Sequence, residues 1–108
     1  MAVGKSVFPE MPAIDGVCLG TAMAGIKKPD RRDLVVIEVP EGATVAATFT
    51  RNAFCAAPVH VARDHLQHTA PRYLLINTGN ANAGTGARGR QDAESCCNSL
   101  ADLAGVDA

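Results

Sequence analysis

Between Tyr73 and Gly89 the sequence reads YLLINTGNANAGTGARG, an apolar run that breaks into a loop dense in Gly, Asn and Thr just ahead of a helix-periodic segment. That junction restricts the folds open to the chain. A strand has to deliver a loop whose backbone approaches something closely, and a helix has to carry the chain away from it. Glycines at 79, 84, 86 and 89 permit left-handed backbone and close approach, while Asn77, Asn80 and Asn82 tolerate left-handed conformations and bond to neighbouring backbone. The loop is the expected functional element.

The rest of the chain supplies strands for it. Gly16 to Ala22 alternates Val17, Leu19 and Thr21 on one face, and Leu34 to Val39 is a short β-branched run suited to a strand covered on both faces. Ala43 to Thr50 sets Val45, Ala47 and Phe49 in period two, so the spacing predicts a second strand joined to 34–39 by the Pro40-Glu-Gly42 connection. Val59 to His68 reads as a strand end followed by a short helical turn, and Tyr73 to Asn77 as the next strand. Residues 1–14, with prolines at 9 and 12, read as an extended lead-in, and Gly25 to Arg32 as a charged, solvated turn. From Gln91 to Ala104, the residues Ala93, Cys96, Cys97, Leu100, Ala101 and Ala104 recur at helical spacing. Asp92 and Glu94 favour the positive end of that helix, and Gly105 supplies its stop. Strands followed by a helix predict a layered α/β or α+β domain.

Composition narrows the classes of partner. Hydrophobic residues make up 47% of the 108, but many are alanine, only 4% are aromatic and none is tryptophan. A domain of this length buries roughly 65% of the surface its unfolded chain exposes. With so few large side chains to fill a core, the pattern suits a piece that packs against more protein. A net charge of −1 offers no basic stripe for a phosphate backbone. No apolar stretch approaches the length of a membrane helix. Cys18, Cys55, Cys96 and Cys97 lack C-x-x-C spacing and read as free thiols of a reducing cytoplasm rather than a disulfide framework or a zinc site.

Two chemistries compete for the loop, beside the reading that its glycines only turn the chain. Gly84-Thr-Gly86-Ala-Arg-Gly89 satisfies G-x-G-x-x-G, the dinucleotide fingerprint, but the first glycine of that fingerprint follows its strand almost directly. Here six residues separate Asn77 from Gly84. The second chemistry is an oxyanion site, in which the Thr85 hydroxyl and the Gly86 N–H donate to a carbonyl oxygen gaining charge. His60, His65 and His68 have no acidic or cysteine ligand at metal-site spacing and read as surface or packing residues. Nothing marks a Ser-His-Asp or Cys-His nucleophile.

Several stretches, in order, resemble the bifunctional ornithine acetyltransferase / N-acetylglutamate synthase family of arginine biosynthesis. They are Gly16-Val-Cys-Leu-Gly20, Ala24-Gly-Ile-Lys27, Arg32-Asp-Leu34, Val45 to Val59, and Leu75 to Gly86 with its INTGNANAGTG. The resemblance implies transfer of an acetyl group from N-acetylornithine to glutamate, and in bifunctional members from acetyl-CoA as well. It implies no cofactor beyond acetyl-CoA as a substrate. It also implies a precursor that cleaves itself before an internal threonine, which becomes the nucleophile with its own α-amine as base. The family's oxyanion pair, a Thr-Gly dipeptide ending the Asn/Gly-rich loop, falls on Thr85 and Gly86.

The family fold implied is an α+β layered sandwich, two sheets flanked by helices, with residues 1–108 as the N-terminal portion of the α-subunit and a single incomplete domain. A β-chain from the same precursor and an α2β2 assembly in the cytoplasm are implied with it. Family chains are several times longer, and the stretches resembling Lys-Gly-Ala-Gly-Met-Ile and Ala-Thr-Met-Leu, which carry the nucleophile, lie outside this sequence. The expectation is that these 108 residues alone transfer no acetyl group. Two other readings stay open: a non-catalytic interaction module that pairs with a separately encoded partner, and a dinucleotide-binding loop protein.

Overall fold

A computed structural model describes Gly4 and residues 7–108. Three strands and two helices follow in the order β1 (Cys18–Ala22), β2 (Leu34–Glu38), α1 (Ala57–His68), β3 (Tyr73–Asn77) and α2 (Gly86–Ala104). The architecture is α+β, as the sequence suggested. The part of the lead-in at residues 1–3, 5 and 6 lies outside the described residues.

β2 is the centre of a three-stranded antiparallel sheet in the order β1-β2-β3. Its β-branched core, Val35-Val36-Ile37, suits a strand paired on both sides. The register aligns Leu19 with Ile37 and Ile37 with Leu74, and Thr21 with Val35 and Val35 with Ile76. Two sequence readings fail against this topology. The predicted strand at 43–50 takes no part in the sheet, because β1 and β3 already occupy both edges of β2 and no edge is left for a hairpin through Pro40-Glu41-Gly42. Phe49 instead lies beneath the Arg63 guanidinium of α1, 5.3 Å from ring centroid to Cζ. The dinucleotide reading also fails: that fingerprint needs parallel strands joined by a crossover helix, whereas β2 and β3, which flank α1, run antiparallel.

The segment read as a strand end and a turn is a twelve-residue helix, α1. Val59 and Val61 weighed toward strand there, but Pro58 sits in the first turn, where a missing N–H costs nothing, and Ala57 and Val61 bury one face. α1 packs on α2, and Ala57, Val61 and Ala101 are the buried apolar side chains of the described residues. α2 carries most of the expected stripe: Ala93, Cys97, Leu100, Ala101 and Ala104 are buried or half-buried, while Cys96 is exposed. Burial pushes the Cys97 thiol up from its ordinary value. All four cysteines are free. Gly105 ends α2 in the left-handed region, its N–H donating to the Ala101 carbonyl.

The sheet face bearing Leu19, Val35, Ile37, Leu74 and Ile76 is open, with Leu19 72% and Leu74 53% exposed. The total accessible surface is 8738 Å². A globular monomer of 11.2 kDa should expose about 5,700 Å². The radius of gyration, 15.3 Å, likewise exceeds the roughly 13 Å of a compact chain of this length. The fold therefore presents unpaired packing surface on a large scale.

One buried charge organises the base of the Gly/Asn-rich loop. Asp33, 4% exposed, accepts hydrogen bonds from the N–H groups of Ala24 (2.7 Å) and Ile26 (2.8 Å). Its own carbonyl accepts from the Thr78 N–H at 3.0 Å, where β3 passes into the loop. The Ile26 and Ala24 donors hold its carboxyl below the usual value of 3.8, outweighing burial. A carboxyl whose folded value is depressed contributes stability above its unfolded value and loses it as pH falls through the folded one. In the complete protein, Asp33→Asn should therefore lower the unfolding temperature relative to wild type at pH 7, and the gap should close as pH is taken below 3.8. A gap that stays constant through that range would show that the charge plays no part.

Candidate functional site

β3 and α2 bring the loop to a point. Asn77, the last residue of β3, accepts a hydrogen bond at Oδ1 from the Asn82 side-chain amide, 3.1 Å. The Asn82 carbonyl then accepts from two directions: the Ala57 N–H at the start of α1 (3.2 Å) and the Thr85 hydroxyl (3.4 Å). Since α1 lacks a side-chain cap at Ala56, the loop backbone supplies one of the acceptors its first turn needs. Asn82, expected only to support the loop through local bonds, thus ties together β3, α1 and Thr85.

Thr85 and Gly86 follow with a particular backbone. Thr85 is right-handed helical, φ −95° and ψ −4°, and Gly86 is left-handed, φ +62°. A right-handed residue followed by a left-handed one turns successive N–H groups toward a common point, forming a concavity that attracts negative charge. Only glycine adopts the second conformation without strain. The concavity lies at the N-terminus of a nineteen-residue helix, whose dipole adds positive potential. Among the described residues the Gly86 N–H has no backbone acceptor. Two donors thus meet here, a hydroxyl and an unengaged N–H at the helix terminus. The Thr85 hydroxyl has only a long bond to Asn82 to give up.

A cavity of about 340 Å³ opens onto these two residues, lined also by Phe54, Cys55, His60, Gly84 and Arg90. Gly84 lets the loop lie against the Phe54 ring, since a Cβ there would fall 2.9 Å from Cζ. Arg90 spans the helices: it pairs with Asp64 on α1 and, at 3.2 Å, with Glu94 on α2. Glu94 first, then Asp64, raises the Arg90 guanidinium above its ordinary value. It therefore remains charged at the cavity edge.

Phe54, Arg90 and Asp33 escaped sequence reasoning. The Arg90-to-Glu94 spacing was a usable signal for an i,i+4 pair. Asp64 carries no local sequence signal toward Arg90, and only the packing of α1 on α2 brings the two together. His60 reaches the cavity, whereas His68 takes a local role, Nδ1 lying 2.7 Å from the Asp64 carbonyl oxygen. Among the described residues no three His, Cys, Asp or Glu side chains are grouped to hold a metal ion, and no helix is long and apolar enough to cross a membrane.

The same fold occurs in two solved structures. The arginine biosynthesis bifunctional protein ArgJ of Bacillus halodurans superposes with a TM-score of 0.79 at 30% identity, over 86% of this chain and 49% of that one. The ornithine acetyltransferase of Mycobacterium tuberculosis, solved in complex with ornithine, superposes with a TM-score of 0.77 at 32% identity, over 84% of this chain and 48% of that one. In sequence the chain is 56% identical, over its whole length, to the arginine biosynthesis bifunctional protein ArgJ of Pseudomonas fluorescens, and 59% identical over 92 residues to that of Methylococcus capsulatus. It spans 26% of the first and 22% of the second. The ArgJ family matches residues 18–108, and the chain belongs to that family.

Proposed function

We propose that residues 1–108 form the N-terminal portion of the α-subunit of a glutamate N-acetyltransferase and supply its oxyanion site, with Thr85 and Gly86 as the donors. The reading rests on the right-handed to left-handed step at Thr85–Gly86, which leaves an unengaged N–H and a loosely held hydroxyl on two residues that line the cavity. In the reaction, a threonine hydroxyl from elsewhere in the complete protein attacks the acetyl carbonyl of N-acetylornithine, the threonine's own α-amine taking the hydroxyl proton and later passing it to the leaving amine. The C=O π electrons move onto oxygen, and Thr85 and Gly86 donate hydrogen bonds to the resulting oxyanion. Collapse of that intermediate breaks the C–N bond, ornithine leaves with a proton on its amine, and the acetyl group stays on the threonine as an ester. The glutamate amine then attacks the ester carbonyl through a second oxyanion at the same donors, and collapse of that intermediate breaks the ester C–O bond, passes the amine's proton to the threonine oxygen and releases N-acetylglutamate. Acetyl-CoA serves as an alternative donor to the same threonine.

The open sheet face supports the second half of the reading, in which these residues pack against the remainder of the α-subunit and a β-chain of an α2β2 assembly in the cytoplasm. Leu19, Leu74 and Ile76 are side chains that such packing would cover.

An acyl-enzyme predicts exchange. The complete protein should move labelled ornithine into N-acetylornithine with no glutamate present, and its two-substrate kinetics should give parallel double-reciprocal lines. Exchange that appears only when glutamate is added would exclude the covalent intermediate. A non-catalytic interaction module predicts neither behaviour.

A further inference from the structure

We propose that Gly89 is a positioning residue for Thr85, a role that rests on the oxyanion reading above. Gly89 lies inside α2, four residues after Thr85, and donates its N–H to the Thr85 carbonyl at 3.3 Å. Short of proline, glycine is the poorest helix former, so its presence in a helix needs a cause. The usual cause is absent, because Gly89 is not among the glycines with left-handed backbone. Space is the cause instead. A Cβ on residue 89 would fall 1.8 Å from the Thr85 Oγ1 and 2.4 Å from the Thr85 Cβ, while its distance to the Ala57 Cβ, 3.5 Å, would be ordinary contact.

The contact with Cβ is the decisive one. A hydroxyl can rotate away, but Cβ is fixed by the backbone of Thr85, so no side-chain rotation relieves a 2.4 Å approach. Restoring carbon–carbon contact to about 3.5 Å requires the Thr85 backbone to move by roughly 1 Å. That backbone carries the Gly86 N–H with it, and a misplacement of this size at a reacting centre costs on the order of 10²-fold in rate. Gly89 thus sets where both donors point without touching substrate itself.

The test is made on the complete enzyme with Gly89→Ala, Thr85→Gly and the double variant, reading kcat and KM for N-acetylornithine. Gly89→Ala should lower kcat by on the order of 10²-fold with KM little changed. Thr85→Gly removes the Cβ that is struck, so adding Gly89→Ala to it should lower kcat no further. Unchanged kcat in Gly89→Ala, or an equal further loss in the double variant, would overturn the positioning role. If Gly89→Ala yields no folded enzyme, the double variant decides: folded and as active as Thr85→Gly supports the contact, and unfolded or weaker overturns it. A Thr85→Gly enzyme with undiminished kcat would defeat the oxyanion reading itself and this inference with it. A crippled Thr85→Gly beside an unharmed Gly89→Ala would defeat only this one.

Discussion

In the complete enzyme, Thr85→Ala is expected to reduce kcat by about 10²–10³-fold while leaving KM for N-acetylornithine and the assembly state close to wild type, equivalent to about 2.7–4 kcal/mol of lost transition-state stabilisation. The split follows from when the hydroxyl is needed. The ground-state carbonyl of an amide carries little charge, so its binding gains little from one more donor, whereas the tetrahedral oxygen carries a full charge and gains much. Alanine keeps the Cβ that rests on Gly89, so the backbone of the concavity stays in place and only the hydroxyl is removed. Thr85→Ser, which keeps the hydroxyl, should restore most of the rate. Steady-state kinetics with native mass measurement check both parts. An unchanged kcat together with a broken complex would make Thr85 a structural residue and favour the interaction-module reading.

The second large effect concerns the 108 residues on their own. Expressed as a separate polypeptide they should bind the dye ANS, unfold without a sharp cooperative transition and transfer no acetyl group. Only Ala57, Val61 and Ala101 are buried apolar side chains among the described residues. Fully burying a valine stabilises by about 1.5–3 kcal/mol, whereas fixing the backbone of a single residue costs about 1–2 kcal/mol. Half-buried side chains add fractions of such amounts, and about 3,000 Å² of surface beyond that of a compact monomer remains in water. On the proposed reading acetyl transfer fails as well, because an oxyanion site whose nucleophile comes from other residues has no intermediate to stabilise. Calorimetry and a sensitive acetyl-transfer assay on the purified polypeptide are the checks. A sharp two-state transition without ANS binding would show that the open sheet face is not waiting for a partner.

How far the sequence could be read depended on whether local signals and tertiary demands agreed. Tyr73–Asn77 and the stripe of α2 were legible because apolar spacing, strand length and the Gly105 stop all pointed one way. The alternation at 43–50 was as regular as that of any strand, yet what decides strand formation is an available edge, and β2 had none to offer. For α1 the β-branched valines competed with Pro58, and packing against α2 settled the matter in favour of helix. α2 also begins at Gly86 rather than near Gln91, because the glycines that weaken helix propensity there serve the turn at Thr85 and the packing beneath it. Thr85 and Gly86, the donors proposed above, are the residues that the loop motif singled out. What the sequence concealed was their support: Asn82 as a three-way tie, Gly89 as a floor, and the buried Asp33 that secures the strand from which the loop departs.

The most direct measurement is the rate at which the complete enzyme becomes acetylated when mixed with excess N-acetylornithine in the absence of glutamate, followed by rapid quench and intact-mass analysis. The account predicts an acetyl adduct that forms about 10²–10³-fold more slowly in Thr85→Ala than in wild type and reaches the same final occupancy. Equal rates of adduct formation in the two proteins would remove Thr85 from the chemistry, and with it the role assigned to this loop.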